Sequence, residues 1–391
     1  MANDTVGWTD SPDGRGTVDI LIANFMALFV CVWTVLHHNI QAPHDGYWAV
    51  VLRKLRWAAL AIWAPEVLTL FSIMQWNAAN ISVREMQDLG YAKWTKVHAF
   101  YANAGGFLVR THRIAMPDIT RNQIWDRSKA DRFAKGLAFL QAGWLLLQIV
   151  ARASQSLSIT PLEVFTAAFI VPTLATTYFW SSKPQNVAEP SVIRVDWTIA
   201  DLLLSAGEAA KEPYVDTCLD FIDKPVWDGW RRFPSLLHFG GLEARPLRRI
   251  PNDYSPPPPT GKEATIVWIV SVVHAVIRLV SWSFPFPTQA EQVLWRTCSL
   301  ILLVVMIIGG LVPVLSTRPW FDFTFNLIWI WTRKAKDTFI RRWIFRATAD
   351  FAYAVYIIAR VLIFLEIFLA FRAMPRDVYY QVQWTAFWPH V

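Results

Sequence analysis

Cysteine is scarce in this 391-residue chain. Cys31, Cys218 and Cys298 are too few and too widely spaced for a disulfide framework or a thiolate metal site. Two of them fall within long apolar stretches, where cysteine ordinarily acts as a small hydrophobic residue. Cysteine chemistry is therefore not expected.

Several sequence motifs are also missing. There is no DDxxD or NDxxxD cluster in or beside an apolar stretch, which disfavours magnesium-dependent diphosphate chemistry. Nucleotide-binding glycine motifs and an HExxH zinc motif are absent, and a helix would hold the rings of His37 and His38 about 100° apart. We therefore expect neither a metal nor a cofactor. Cofactor-free acid–base chemistry on an apolar substrate, transport and a scaffolding role all stay open.

Long apolar stretches dominate what is present. The chain is 54% hydrophobic, with 22 tryptophans and a mean hydropathy of +0.30. Runs of about 17–25 apolar residues are long enough to cross a bilayer. The pattern predicts an all-α polytopic transmembrane helix bundle of about seven spans, plus interfacial or re-entrant helices. The predicted spans are 18–36, 59–74, 136–151, 164–180, 264–282, 293–315 and 351–371. The stretch 320–331 is too short to span and is predicted to lie at the interface.

The loops suggest an orientation and a division of the chain. Lysine and arginine are richer after the second, fourth and sixth predicted spans, which places the N-terminus in the cytosol and the C-terminus on the far side. Topology and anionic lipid account for the net charge of +7 better than nucleic acid does. We predict a four-span half with the active-site cavity (1–180), a cytosolic loop with amphipathic helices and a proline-rich linker (181–263), and a three-span half (264–391).

Ionisable residues within spans are costly and mark candidate sites. Glu66 lies in the middle of the second predicted span, next to Pro65. An unpaired carboxyl there should be neutral and able to donate a proton. Asp19 and Glu163 lie near span ends, where they are either functional or simply helix-start carboxylates.

Several other polar residues lie within the predicted spans or between them. Gln148 and Arg152 belong to one polar stripe of the third span. Arg278 and Arg360 are expected to snorkel or to pair with neighbouring helices, and His274 to be a hydrogen-bonded packing residue. His98 lies in the stretch KWTKVHAFYANAGGFLV (93–109), which is predicted to be a helix tucked against the bundle or, alternatively, a surface helix.

Four stretches resemble a family of fungal integral membrane proteins. They are DGRGTVDI (13–20), CVWTVLH (31–37), KWTKVHAFYANAGGF (93–107) and ARASQSLSITPLE (151–163). The characterised branch of that family is the membrane-bound terpene cyclase of ascofuranone biosynthesis. The resemblance implies an enzyme of the endoplasmic reticulum that binds a hydrophobic, farnesylated aromatic epoxide. It would open the protonated epoxide and close an oxygen-containing ring.

The residues can be assigned to that chemistry as a hypothesis. Epoxide opening needs an acid and a base: Glu66 would be the acid, and Asp19, Glu163 or His98 the base or relay. Gln148 and Arg152 would orient substrate oxygens. Aromatic faces stabilise developing positive charge, and the candidates on the first three spans are Trp33, Trp63 and Trp144. The alternative is a small-molecule transporter or a non-catalytic membrane protein.

Overall fold

The structure is a computed structural model in which nine helices account for almost all regular structure of the described residues. It describes residues 5–10, 14–41, 45–111, 130–185, 190–195, 261–316 and 338–384, with isolated positions between 186 and 205. The helices are α1 (Thr17–Val35), α2 (Tyr47–Trp63), α3 (Pro65–Asp88), α4 (Lys96–Asn103), α5 (Ala130–Ser154), α6 (Pro161–Phe179), α7 (Lys262–Ile277), α8 (Gln289–Ser316) and α9 (Thr338–Leu369).

Six of these helices are long and apolar enough to cross a membrane, which confirms the all-α polytopic bundle. They are α1, α5, α6, α7 with its 3-10 extension Arg278–Ser283, α8 and α9. The apolar part of each coincides closely with a predicted span, although α9 itself begins at Thr338, before the predicted span 351–371. The chain is therefore an integral membrane protein.

The second predicted span, 59–74, is not one straight helix. Ala64 leaves the helical conformation (φ −144°, ψ 67°), and α2 and α3 are bent by 111° around it. Pro65 begins α3 as its first residue. Proline has no N–H to donate and disfavours a helical residue before it, so the chain breaks here. Composition alone predicted one continuous span, 59–74, across this break.

Side-chain contacts define two ends of the bundle. At one end, His37 after α1 contacts Trp180 after α6 and Lys135 on α5; we call this the His37 end. At the other end, strand β1 (Thr5–Val6) pairs antiparallel with strand β4 (Met374–Pro375); we call this the paired-termini end.

The bent pair α2–α3 enters and leaves at the same end. Arg53 and Lys54 on α2 lie within electrostatic reach of His38, and Gln75 on α3 accepts a hydrogen bond from Lys183 at 2.8 Å. Both contacts are at the His37 end, so the pair is re-entrant. The segments before α1 and after α9 consequently lie at one end of the bundle. The prediction that the termini lie on opposite sides is wrong, because it counted the re-entrant pair as a crossing.

The stretch 93–109 forms a short helix at the His37 end rather than a span. Helix α4 packs on α3, and its first turn is closed by a capping box of Thr95 and His98. Gly105, with φ 85°, then turns the chain into strand β2 (Phe107–Thr111), which pairs parallel with β3 (Ser191–Val195). The helix is tucked against the bundle, as predicted.

One hydrophobic core joins the two predicted halves of the chain. Leu68 and Phe165 from the first half share it with Leu302 and Ile363 from the second. Most of the predicted loop 181–263, with its amphipathic helices and proline-rich linker, lies outside the described residues, as does the predicted interfacial segment 320–331.

Candidate functional site

A buried charged cluster lies in the middle of the bundle. Arg360 on α9 donates to Glu66 Oε1 at 2.5 Å, and the hydroxyl of Tyr356 donates to the same oxygen. His274 Nε2 is 3.8 Å from Glu66 Oε2 and accepts a hydrogen bond from Arg278. All five side chains are buried. We call these residues the mid-bundle cluster.

The local sequence explains how the mid-bundle cluster forms. The break at Ala64 places the first turn of α3 inside the bundle, and Glu66 is in that turn, where a carboxylate complements the free N–H groups of the helix start. Tyr356 and Arg360 are four residues apart on α9, so they share a face. Two guanidinium groups face one carboxylate, which leaves one formal positive charge in excess.

The surroundings of Glu66 contradict one prediction and confirm two. Glu66 is not unpaired: it is the counter-charge of Arg360. A carboxylate held by a guanidinium is a poor proton donor, so Glu66 is not retained as the acid. The pairing of Arg360 with a neighbouring helix is confirmed. The predicted hydrogen bonding of His274 is also confirmed, since its Nδ1–H donates to the carbonyl of Ala168 at 2.9 Å.

A second polar network lies at the paired-termini end. Arg152 donates to the carbonyls of Ser158, Asp377, Val378 and Tyr380 at 2.8–3.0 Å. The carboxylate of Asp377 accepts from the N–H and hydroxyl of Ser158 at 2.9 and 2.8 Å. This network ties the segment after α9 to the loop between α5 and α6.

Glu163 joins the same end of the bundle. Its Oε2 accepts from the N–H and hydroxyl of Thr160 at 2.9 Å each, forming the capping box of α6, and its Oε1 is paired with Arg15. Glu163 is therefore a helix-start carboxylate, the simpler of its two readings. Two of the resembling stretches, DGRGTVDI and ARASQSLSITPLE, meet in this ion pair.

A cavity of about 270 Å³ opens beside this network. Its lining is mostly apolar, with two hydroxyl groups from Ser156 and Ser158. The lining residues are Ser156, Leu157, Ser158, Ile159, Pro161, Phe284, Pro285, Met374 and Pro375. The volume is close to the lower limit for small-molecule sites.

Glu366 on α9 is a second buried carboxyl at this end. It is 2% exposed, and its Oε1 has no hydrogen-bond partner among the described residues. Its neighbour Glu291 is paired with Arg372. Gln292, next to Glu291, donates to the carbonyl of Phe284, a residue of the cavity wall. Unlike Glu66, Glu366 forms no ion pair among the described residues, since the nearby Arg372 is paired with Glu291.

The remaining predicted site residues lie apart from one another. Asp19 is exposed and accepts from the N–H of Gly16 at 2.9 Å, which caps α1. His98 accepts from the N–H of Thr95 at 3.2 Å and stacks on Trp94 at the His37 end. The structure therefore does not bring Asp19, Glu66 and His98 into one site.

The predicted tryptophans also lie in different parts of the structure. Trp33 and Trp144 are 49% and 51% exposed on the outside of the bundle, as expected for a lipid-facing belt. Trp63 is half-buried and packs against Phe364, close in sequence to Glu66. Gln148 is half-buried on α5. Of the predicted substrate-binding residues, only Arg152 touches the cavity wall, through Ser158.

A third polar group lies at the His37 end. His37 Nδ1–H donates to the carbonyl of Val35 at 2.7 Å, so Nε2 accepts from Lys135 at 3.0 Å and the ring is neutral. Burial and then the charge of Lys135 hold the pKa of His37 well below its usual value. Lys183, over the ring of Trp180, has its pKa lowered by burial to about 7.

Sequence reasoning missed Tyr356 and Asp377. The four-residue spacing of Tyr356 and Arg360 on one helix face was a usable signal. Asp377 follows the last span, and nothing in its local pattern links it to Ser158. Among the described residues there is no group of three His, Cys, Asp or Glu side chains that could hold a metal ion.

Comparison with known proteins identifies a family for this chain but no function. Neither a curated protein nor a solved structure matches the chain. A family of unknown function, DUF8562, matches residues 1–114, 111–207 and 263–391, which is most of the sequence. The three matched segments include the bent pair, both polar networks and the cavity wall. The chain belongs to the DUF8562 family of unknown function.

Proposed function

We propose that the protein is a membrane-bound terpene cyclase of the endoplasmic reticulum. It would open the protonated terminal epoxide of a farnesylated aromatic substrate and close an oxygen-containing ring. The observation that carries this proposal is the apolar cavity at the paired-termini end, with two hydroxyls in its wall and the half-buried carboxylate of Asp377 hydrogen-bonded to one of them. Its wall includes residues 156–159 and Pro161 of ARASQSLSITPLE, one of the four stretches on which the resemblance to the cyclase family depends.

The proposed acid is Glu366. A buried carboxyl without a cation on its free oxygen favours the protonated form, and a protonated carboxyl can protonate an oxirane oxygen. This role replaces the one predicted for Glu66. Glu366 lies on the helix that leads into Met374, a residue of the cavity wall.

The proposed base is Asp377, acting through Ser158. The carboxylate of Asp377 accepts a hydrogen bond from the hydroxyl of Ser158, and Ser158 lines the cavity. The proton moves from Glu366 to the epoxide oxygen as the carbon–oxygen bond breaks. A substrate hydroxyl then bonds to that carbon, and its proton leaves through Ser158 to Asp377. The product is an isomer of the substrate, so no co-reactant is consumed.

The cavity wall offers stabilisation for the cationic carbon. Phe284 supplies an aromatic face at the cavity, and aromatic faces attract cations. Apart from Ser156 and Ser158, the remaining wall is apolar and offers the cation no nucleophile. Arg152 does not contact substrate in this proposal: it fixes Asp377 and Ser158 in place through their carbonyls.

The test uses microsomes that contain the full-length protein and a panel of farnesylated aromatic epoxides. We expect a cyclic product of unchanged mass, detected by mass spectrometry after chromatography. Glu366→Gln and Asp377→Asn should each reduce its formation at least about tenfold. The matched controls Glu85→Gln and Asp88→Asn change exposed carboxylates on α3 and should have no effect. Wild-type microsomes that form no cyclic isomer would overturn the proposal.

One observation favours a second candidate, a small-molecule transporter. Transporters place substrate sites at broken helices near the middle of the membrane, and the bent pair α2–α3 holds the mid-bundle cluster at such a position. In proteoliposomes a transporter would move the farnesylated compound across the bilayer without changing it. An unchanged compound accumulating inside would favour transport over cyclisation.

A further inference from the structure

We infer that the paired-termini end of the bundle faces away from the cytosol, and that Asn3 is an N-glycosylation acceptor. This inference concerns the orientation of the protein in the membrane and does not depend on the proposed chemistry. It reverses the side that the sequence alone predicted for the N-terminus.

The first argument is the side on which each segment lies. β1 pairs with β4, and the hydroxyl of Tyr379 donates to the carbonyl of Gly7 at 3.0 Å. Arg15 also pairs with Glu163 at the start of α6. The first two contacts join the segment before α1 to the segment after α9, and the third places Arg15 beside the start of α6. The two terminal segments therefore lie on the same side of the membrane.

The second argument is the distribution of basic residues. Close to the span ends, the paired-termini end carries Arg15, Arg152, Arg296, Arg372 and Arg376. Among the described residues the His37 end carries more within a short distance of the spans: Arg53, Lys54, Arg56, Lys93, Lys96, Lys135, Lys183 and Lys262. Cytosolic segments are enriched in lysine and arginine. The His37 end is therefore the cytosolic one.

The third argument concerns the first span itself. The residues before α1 contain one basic residue, Arg15, whereas Arg53 and Lys54 follow α1 within about twenty residues of its end. A first span with its more positive flank on the C-terminal side inserts with the N-terminal flank outside. The flanks of α1 and the distribution of basic residues over the bundle therefore indicate the same orientation.

The chain carries two N-x-S/T sequences, and they fall at opposite ends. Asn3-Asp4-Thr5 leads into β1, in which Thr5 is exposed at the paired-termini end. Asn80-Ile81-Ser82 lies on α3, beyond Gln75 at the His37 end. Glycan transfer occurs on the non-cytosolic side of the membrane. The orientation therefore makes Asn3 an acceptor and Asn80 not.

The experiment expresses the full-length chain in eukaryotic cells and follows its mobility before and after removal of N-glycans. The variants are Asn3→Gln, its matched control Asn80→Gln, and the chain with an Asn-Ser-Thr acceptor appended after Val391. We expect one glycan-sized shift that Asn3→Gln abolishes and Asn80→Gln leaves intact, and a further shift with the appended acceptor.

Three results would overturn the inference or a part of it. A shift that Asn80→Gln abolishes would place the His37 end outside the cytosol. An appended acceptor that stays unglycosylated and is digested by protease added to sealed microsomes would place the paired-termini end in the cytosol. An unmodified Asn3 in a chain whose appended acceptor is glycosylated would overturn the assignment of Asn3 itself. Because no readout is enzymatic, these failures are distinct from failure of the proposed function.

Discussion

Arg360 on α9 donates a 2.5 Å hydrogen bond to Glu66 on α3, inside the bundle and far from either end. The two residues belong to different halves of the sequence, and each neutralises a charge that would be very costly alone. Their pairing holds the turn of the re-entrant pair against the last helix. It also removes Glu66 from consideration as a free acid.

Breaking this pair should destabilise the protein. Glu66→Gln leaves the guanidinium groups of Arg360 and Arg278 buried without their counter-charge, which costs about 3–5 kcal/mol. We expect a clearly lower thermal unfolding midpoint in detergent micelles. The double variant Glu66→Leu with Arg360→Leu should lose less, because it buries no new charge. A Glu66→Gln variant that melts like wild type would contradict the pairing; exposed Glu85→Gln is the control.

Arg152→Lys should loosen the segment after α9. Lysine cannot reproduce the planar set of donors with which Arg152 holds four carbonyls, so we expect a loss of at least about 2 kcal/mol. Trypsin should then cleave after Arg376 several times faster in micelles. Arg296→Lys is the matched control, since Arg296 donates to the carbonyl of Trp282 on the exposed side of the bundle. Equal cleavage rates for the two variants would contradict the anchoring role.

Acidification should destabilise the protein through His37. The folded protein keeps the pKa of His37 well below 6.5, whereas the unfolded chain protonates near 6.5. As the pH falls below 6.5 the unfolded state binds more protons, so stability falls by about 1.4 kcal/mol for each further pH unit until the folded pKa is reached. His37→Gln removes this contribution. Melting curves at pH 7.5 and 5.5 should show a smaller difference for the variant; an unchanged difference would exclude His37.

Gly106→Ala should disrupt the junction of α4 and β2. A Cβ atom at Gly106 would overlap the ring of Tyr101, whose hydroxyl contacts Ser191 at 2.8 Å. Displacing this buried ring costs about 1–3 kcal/mol. Gly143→Ala is the matched control, because a Cβ atom there meets no other group and alanine favours the helix. We expect a lower unfolding midpoint for the first variant only.

Much of the fold and little of the candidate site could be predicted from the sequence. The apolar runs that became α1, α5, α6, α7, α8 and α9 were recognisable because crossing a bilayer imposes a minimum length and excludes most charges. The helix-start roles of Asp19 and Glu163 were also anticipated as one of two readings, since capping depends on only a few neighbouring residues.

The site depends on contacts between distant residues. Whether a buried carboxyl is paired is decided by what faces it from another helix: Arg360 on α9 pairs with Glu66, whereas Oε1 of Glu366 meets no hydrogen-bond donor among the described residues. Likewise Asp377 became part of a network only because Arg152 and Ser158 draw the segment after α9 against the loop before α6. Local pattern carries no information on such pairings.

The sequence by itself determined that this chain is a membrane protein made of apolar helices, because hydrocarbon tolerates no unsatisfied backbone and few charges. The tertiary structure decided that one apolar run turns back at Ala64–Pro65 instead of crossing. It also decided which buried charges meet. A segment that turns back within the membrane does not count as a crossing, so it changes the side on which the following segments lie. Partners on other helices decide whether each buried carboxyl is paired. Both outcomes depend on packing between segments that are remote along the chain.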